Sequence, residues 1–553
     1  MENRNHKRFS IYLPVFFAIV LVAGFYLGLH LRKPSGGQTE KKFFSIGFDR
    51  SDKITNVINY IYDSYVDTID REHLTEEVIL NLLRDLDPHS AYIPASEFRE
   101  MNDPLMGSFE GIGIEFNMIT DTVVVISPVS GGPSERAGIM AGDRIIAVEG
   151  DPIAGVRKST NEVVSVLKGP KGTEVTVTVL RRNVTEPLLF TIIRDKIPSY
   201  SLDVAYMPGE DIGYIRLNKF AATTHQEFLL ALEQLKARGM EKLILDLRGN
   251  TGGFLDAAIN ISDEFLGSQQ LIVYTDGRKR PRNYAFARRQ GGFETQPLVV
   301  LIDEWSASAS EIVAGAVQDN DRGLIIGRRS FGKGLVQEQV QLGDGSALRL
   351  TVARYYTPSG RSIQKPYENG REDYYADYIQ RMMDGELVTA DSIRFDDSLR
   401  FETLNGRTVY GGGGITPDIF IPLETGEHTV FFNQVANRGI IYRFAFDYSD
   451  RHRSTLSAYG DATDFVRQFR ISPALFEEFM AFARSEGVRP GTGDQSASDA
   501  LVRNHLKAYI GRNLYGNDAF FQARHDLDPA FQKALEVLQE NRVAALLAPE
   551  EPV

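Results

Sequence analysis

The chain has 553 residues, too long for one ordinary domain, and a prior of roughly 100–200 residues per domain gives about three or four. Its formal net charge of −13 argues against nucleic acid as the main partner, because phosphate binding needs a basic face. There is no cysteine, which excludes disulfides, thiolate nucleophiles, Cys-based zinc sites and a lipid-modified cysteine anchor.

Ile11 to Leu31 is an uncharged apolar run whose only ionisable side chain is His30. About twenty helical residues span the roughly 30 Å core of a bilayer. Arg4, Lys7 and Arg8 precede it and keep the N-terminus cytoplasmic. A cleaved signal peptide needs a shorter core and a small-residue cleavage site, which the exit from Arg32 to Gly37 lacks. Residues 1–40 are therefore expected to be a cytoplasmic stub with an uncleaved, single-pass anchor in the inner (cytoplasmic) membrane, and everything after them extracytoplasmic, in the periplasm.

Residues 41–106 read as helical, with apolar residues at spacings of three and four, until Asp87-Pro88-His89-Ser90 breaks the pattern. From 107 to 195 the texture is short β-rich runs with glycine punctuation and a helical NEVVSVL, a compact domain of several strands. Residues 196–424 alternate strand and helix: DIGYIRLNKF, then HQEFLLALEQLKARG, KLILDLRG, DAAINISDEFLG, PLVVLID and ASEIVAGAVQ. Such alternation implies parallel strands joined by helical crossovers. Within it, 367–410 is polar and reads as an insertion or surface segment. Residues 425–553 are mostly helical and end in an amphipathic tail. Gly411 to Gly414 lacks the downstream Lys-Ser/Thr of a phosphate loop and reads as a turn.

Two segments carry candidate chemistry. Ser306, Ser308 and Ser310 follow the strand PLVVLID and open a helix, where unpaired backbone N–H groups suit a developing oxyanion. Ordinary N-capping also places serine there, and residue chemistry does not rank the three. Lys333, flanked by Gly332 and Gly334 and by apolar Phe331, Leu335 and Val336, has the setting that strips a proton from an amine by burial. No histidine lies between 241 and 360, although His89 or His225 can be recruited from a distance. A Ser-Lys pair needs none, and no His/Asp/Glu pattern points to a metal or other cofactor.

Together these segments resemble the carboxyl-terminal processing (tail-specific) proteases. The carrying motifs are LDPHSAYIP at 86–94, LDLRGNTGG at 245–253, SASASEIVAGAVQD at 306–319, GRRSFGKGLVQ at 327–337, LRLTVARYYTPSGRSI at 348–363 and GITPD at 414–418. The resemblance covers roughly residues 50–420. It implies Ser308 as nucleophile, Lys333 as general base, Gln337 as the residue orienting the lysine, and an oxyanion hole from the amide of Ala309 with Gly252 or Gly253. The segment 107–195 resembles the PDZ domain of these proteases, with Gly111-Ile112-Gly113-Ile114 as the loop that holds a terminal carboxylate. The implied fold is an α/β protease core of crotonase/ClpP-like ββα units, with an inserted or preceding PDZ-like β-rich domain, helical N- and C-terminal flanks and one N-terminal transmembrane helix. The implied activity is cleavage of proteins at or near their C-termini. Partners expected on this reading are proteins or peptides with exposed C-termini, the membrane, a second copy through the helical flanks, and an adaptor protein. The chain departs from the family at Trp305, where a glycine often stands, which points to a changed pocket beside Ser308, and at Lys168, where arginine is frequent. Alternative readings are a catalytically silent PDZ scaffold in the envelope and, by the crotonase likeness, an acyl-CoA enzyme.

Overall fold

The computed structural model describes residues 53–423, 428–491 and 494–548, so the expected membrane helix Ile11–Leu31 lies outside the described residues. No described helix is long and apolar enough to cross a membrane. The described residues divide into two compact units, with the division between Glu76 and Glu77. In the first, the helix Lys53–Ser64 meets the start of the helix Arg71–Arg84, where Arg71 Nη2 donates to Asn59 Oδ1 at 2.7 Å.

In the second unit the centre is a six-stranded sheet in the order Leu202–Tyr206, Ile212–Leu217, Lys242–Asp246, Leu298–Ile302, Leu324–Gly327, Ile419–Phe420. The first pair is antiparallel and every later pair is parallel. A strand covered on both faces must be apolar at every position, and all five residues of Leu298–Ile302 are buried. One face packs on the helices Thr224–Ala237, Leu255–Asp263 and Ala309–Asp319 through Phe228, Ala258, Ile261 and Val313. The other face is covered by the far end of the chain. Ala530, Phe531, Ala534, Val537 and Leu538 of the helix Pro529–Gln539 pack on Val204, Tyr214, Ile244, Val299 and Leu301. The amphipathic tail thus closes the central sheet.

A second, antiparallel sheet runs Ala91–Ile93, Ala347–Tyr356, Leu271–Gly277, Arg280–Phe286, with Leu335–Gln341 also paired to Ala347–Tyr356. The segment 367–410, expected as a surface insertion, carries the helix Arg371–Met383 and the hairpin Arg400–Glu402/Thr408–Tyr410.

The β-rich region is entered and left through the antiparallel ribbon Ser108–Gly111/Asp195–Pro198. Between them lie a sheet with its own core of Ile112, Val123, Ile145, Val163 and Val177, and the helix Thr160–Leu167, started by a Ser159/Glu162 capping box. The C-terminal helices build a third core around Phe431, Phe444, Phe465 and Phe479. They also touch the β-rich region: Phe446 and Tyr442 pack on Val124 and Ile126, and Arg512 pairs with Glu115 at 2.6 Å.

Candidate active site

The site is assembled from loops at the ends of parallel strands. After Leu298–Ile302 the chain turns into the helix Ala309–Asp319. Ser308, at that corner, has φ 55° and ψ −110°, a conformation a non-glycine residue rarely adopts and one that marks functional corners. The three serines now separate. Ser306 Oγ donates to Leu247 O at 2.8 Å and accepts from Asp303 N at 2.9 Å. Ser310 Oγ donates to Asn250 O at 2.8 Å. Both are fully buried, whereas Ser308 lines a cavity of about 470 Å³.

That cavity brings together Ser308, Lys333, Gln337, Gly252 and Gly253, from three separate motifs. No histidine lines it. His89 Nε2 instead meets Tyr374 Oη at 2.8 Å, and His225 Nε2 meets Glu264 Oε1 at 2.9 Å. Trp305 is also absent from the lining: its ring lies against Tyr378 with centroids 4.9 Å apart. No hydrogen bond joins Ser308 Oγ to Lys333 Nζ, though both line the one cavity. Among the described residues no carboxylate pairs with Lys333. Burial first, then the Arg349 guanidinium, lowers its pKa from 10.5 to about 8, against the opposing pull of Glu311 and Asp87.

The glycine turn faces Ser308 closely. A Cβ on Gly252 would stand 2.8 Å from Ser308 Cβ and 3.0 Å from Ala309 N, and one on Gly253 would stand 2.0 Å from Phe220 O. Both have positive φ, 102° and 151°, so only glycine fits. Their amides differ: Gly252 N donates to Asn250 Oδ1 at 2.9 Å, while Gly253 N has no partner among the described residues. Ala309 is the first residue of its helix, where the N–H has no intrahelical acceptor.

Sequence reasoning missed the residues that hold this arrangement. Glu311 is fully buried and accepts from Ser308 N (2.7 Å), Ser330 Oγ (2.5 Å), Gly332 N (2.7 Å) and Lys333 N (2.9 Å). It therefore ties the serine corner to the lysine loop. Burial raises its pKa to about 7, against those donors. Tyr355 Oη sits against the carbonyls of Ser308 and Lys333. Asn250 accepts from Ala307 N at 3.0 Å and joins the glycine turn to the serine corner. Asp87 accepts from Ser90 Oγ (2.5 Å) and Thr351 Oγ1 (3.0 Å), and Gln337 Nε2 reaches Thr351 Oγ1 at 3.4 Å beside a register shift in its strand. All lie inside motifs visible in the sequence, but residue type alone gave them no role.

The remaining predicted residues, Gly111, Ile112, Gly113 and Ile114, lie in the β-rich domain and do not line the cavity. Val129 N donates to Gly113 O, and Ser134 N and Oγ to Ile112 O. The amides of Ile112 and Gly113 have no acceptor among the described residues. No group of three or more His, Asp or Glu able to hold a metal ion occurs among the described residues.

Comparison with known proteins adds the family. A profile described as peptidase family S41 matches residues 211–370, a PDZ domain profile matches 111–190, and a family of unknown function (DUF8443) matches 431–516. The chain is similar to the carboxy-terminal-processing protease of Bartonella bacilliformis, 42% identical over 314 residues that cover 56% of this chain and 71% of that protein. It is 34% identical to the carboxy-terminal processing protease CtpB of Bacillus subtilis over 351 residues, 62% of this chain and 72% of the relative. Among solved structures, the photosystem II D1 C-terminal processing protease is 33% identical, covering 56% of this chain and 83% of that one, with a TM-score of 0.32. With relatives of this identity matched over more than two thirds of their length, the chain belongs to the S41 serine peptidases as a carboxy-terminal processing protease with a PDZ domain.

Proposed function

We propose that this protease works by a Ser-Lys dyad, with Ser308 as nucleophile and Lys333 as general base. The observation that carries the reading is the shared cavity: a serine at a strained corner and a buried lysine without a carboxylate partner, facing the glycine turn. Neutral Lys333 takes the Ser308 proton as Oγ attacks the scissile carbonyl. The oxyanion accepts from Ala309 N and Gly253 N, the two amides left without partners. Lys333 then protonates the leaving amine. Water resolves the acyl-enzyme with the same lysine as base, releasing the new C-terminal carboxylic acid and restoring Ser308. Gln337, braced through Thr351 to Asp87, orients the lysine.

In this reading the free amides of Ile112 and Gly113, with Gly111 and Ile114, hold the substrate's terminal carboxylate while its tail adds as a strand. A PDZ domain of a carboxy-terminal protease from Vibrio cholerae, 38% identical, was solved in complex with peptide. The run Ile11–Leu31 anchors the enzyme in the inner membrane with its catalytic part in the periplasm. The exposed Ile54 and Tyr60 of the helix Lys53–Ser64 support a dimer or adaptor contact there.

Ser308→Ala tests the chemistry: it should abolish cleavage of an unfolded protein with an apolar tail, and persisting cleavage rejects the assignment. A topology reporter fused after residue 40 tests the anchor, and cytoplasmic activity of the reporter rejects it.

A further inference from the structure

The Ser308 cavity has an unusual charge. Of the residues lining it only the basic side chains Lys333 and Arg349 are ionisable, and no carboxylate is among the lining residues, in a chain whose net charge is −13. The general base gains from a lining without carboxylates, since one paired with it would hold its proton more firmly than Glu311 and Asp87 do from behind. Arg349 has no such reason, because a guanidinium stays protonated in proteins. It stands opposite Gln339 on the ribbon Leu335–Gln341/Ala347–Tyr356. Among the described residues its one hydrogen bond runs from Nη2 to the neutral Gln339 Oε1 at 2.9 Å. Most of its five N–H donors are left without a protein acceptor. Half-buried at the cavity wall, the guanidinium keeps these donors open to a ligand that enters. The strand places it beside the reacting centre, and its planar fork suits a carboxylate in two-point contact.

We propose that Arg349 is a specificity residue that binds a carboxylate of the substrate inside the catalytic cavity, and so directs cleavage to bonds with an acidic group alongside. The inference rests on Ser308 and Lys333 being the dyad. That carboxylate has two sources, an Asp or Glu side chain near the scissile bond or the α-carboxylate of a chain end lying in the cleft. Arg349 also faces Lys333, whose other charged or titratable neighbours are Glu311 from the helix Ala309–Asp319 and Asp87 and His89 from the turn before Ala91–Ile93. Removing the guanidinium removes the one cation that keeps Lys333 deprotonated by repulsion.

The test uses the full-length protease and an unfolded protein with an apolar tail, its cleavage sites mapped by mass spectrometry. Peptides spanning the strongest site are then made in four forms: unchanged, with the nearby Asp or Glu replaced by Asn or Gln, with an amidated C-terminus, and with both changes. For the parent enzyme kcat/KM should fall about tenfold or more when the recognised carboxylate is neutralised. The arm that falls identifies the source. Arg349→Gln should make all four forms equivalent, mainly through KM, and Arg349→Lys should restore part of the preference. The acid limb of kcat/KM against pH should also move to higher pH in Arg349→Gln. A merely structural role for Arg349 would lower all four peptides alike and leave the preference intact, which overturns the proposal. So does a parent enzyme indifferent to all three changes. Failure of the dyad itself reads out separately, as cleavage that survives Ser308→Ala.

Discussion

Glu311→Gln is the substitution on which the architecture of the site can be judged. Glu311 Oε1 accepts from Ser330 Oγ and Gly332 N, and Oε2 from Ser308 N and Lys333 N, at 2.5 to 2.9 Å. Glutamine has nearly the same shape, but one of its two acceptors becomes an NH2 donor. Whichever way the amide points, two of the four donors then face a donor in a site with no water access. Each buried donor left without an acceptor costs about 1–3 kcal/mol. The pair therefore costs ~2–6 kcal/mol, a large part of the roughly 5–15 kcal/mol that holds a folded domain together. The assay is urea unfolding at about pH 8, above the Glu311 pKa of about 7, so that the parent group is charged. Trp305, the chain's only tryptophan and three residues from Ser308, reports the unfolding of the core by fluorescence. We expect a lower midpoint with an unchanged slope. Cleavage should fall at least tenfold even under conditions where the variant is fully folded, because the Ser308 and Lys333 backbones lose their common anchor. A variant within ~0.5 kcal/mol of the parent that cleaves at the parental rate would refute the reasoning.

Other consequences can be measured alongside. With Lys333 at about 8, kcat/KM should rise with pH and level off above that value; a rate flat from about pH 6 to 9 would exclude Lys333 as the base. Because burial lowers this pKa from 10.5, the unfolded chain binds more protons between about 8 and 10.5. Stability should therefore increase with pH across that window, and Lys333→Met should remove this increment from the denaturation profile. Gly253→Ala forces a methyl group to 2.0 Å from Phe220 O at a φ of 151°, so the amide must move. Steady-state kinetics should show kcat reduced roughly a hundredfold, as when one oxyanion donor is lost. Arg361 is fully buried and paired with the equally buried Asp319 at 2.7 Å. Arg361→Leu strands that carboxylate and should cost about 3–5 kcal/mol in chemical denaturation.

The sequence by itself determined the order of strands and helices in the core, since near-continuous apolar runs such as Leu298–Ile302 have no stable place except between two layers. It also carried the family resemblance, in six long motifs in order, which the relatives then bore out. It did not reveal that the tail helix Pro529–Gln539 covers the second face of the core sheet, because an amphipathic face is legible but its partner is not. Which serine faces the cavity was likewise a tertiary matter: Ser306, Ser308 and Ser310 are chemically alike, and only the partners Leu247 O and Asn250 O occupy two of them. The buried anchor Glu311 and the unpaired cation Arg349 were hidden for the same reason. Whether a charged side chain is solvated, satisfied or left without a counter-ion depends on what other segments bring within a few ångströms, and the fold alone sets those distances.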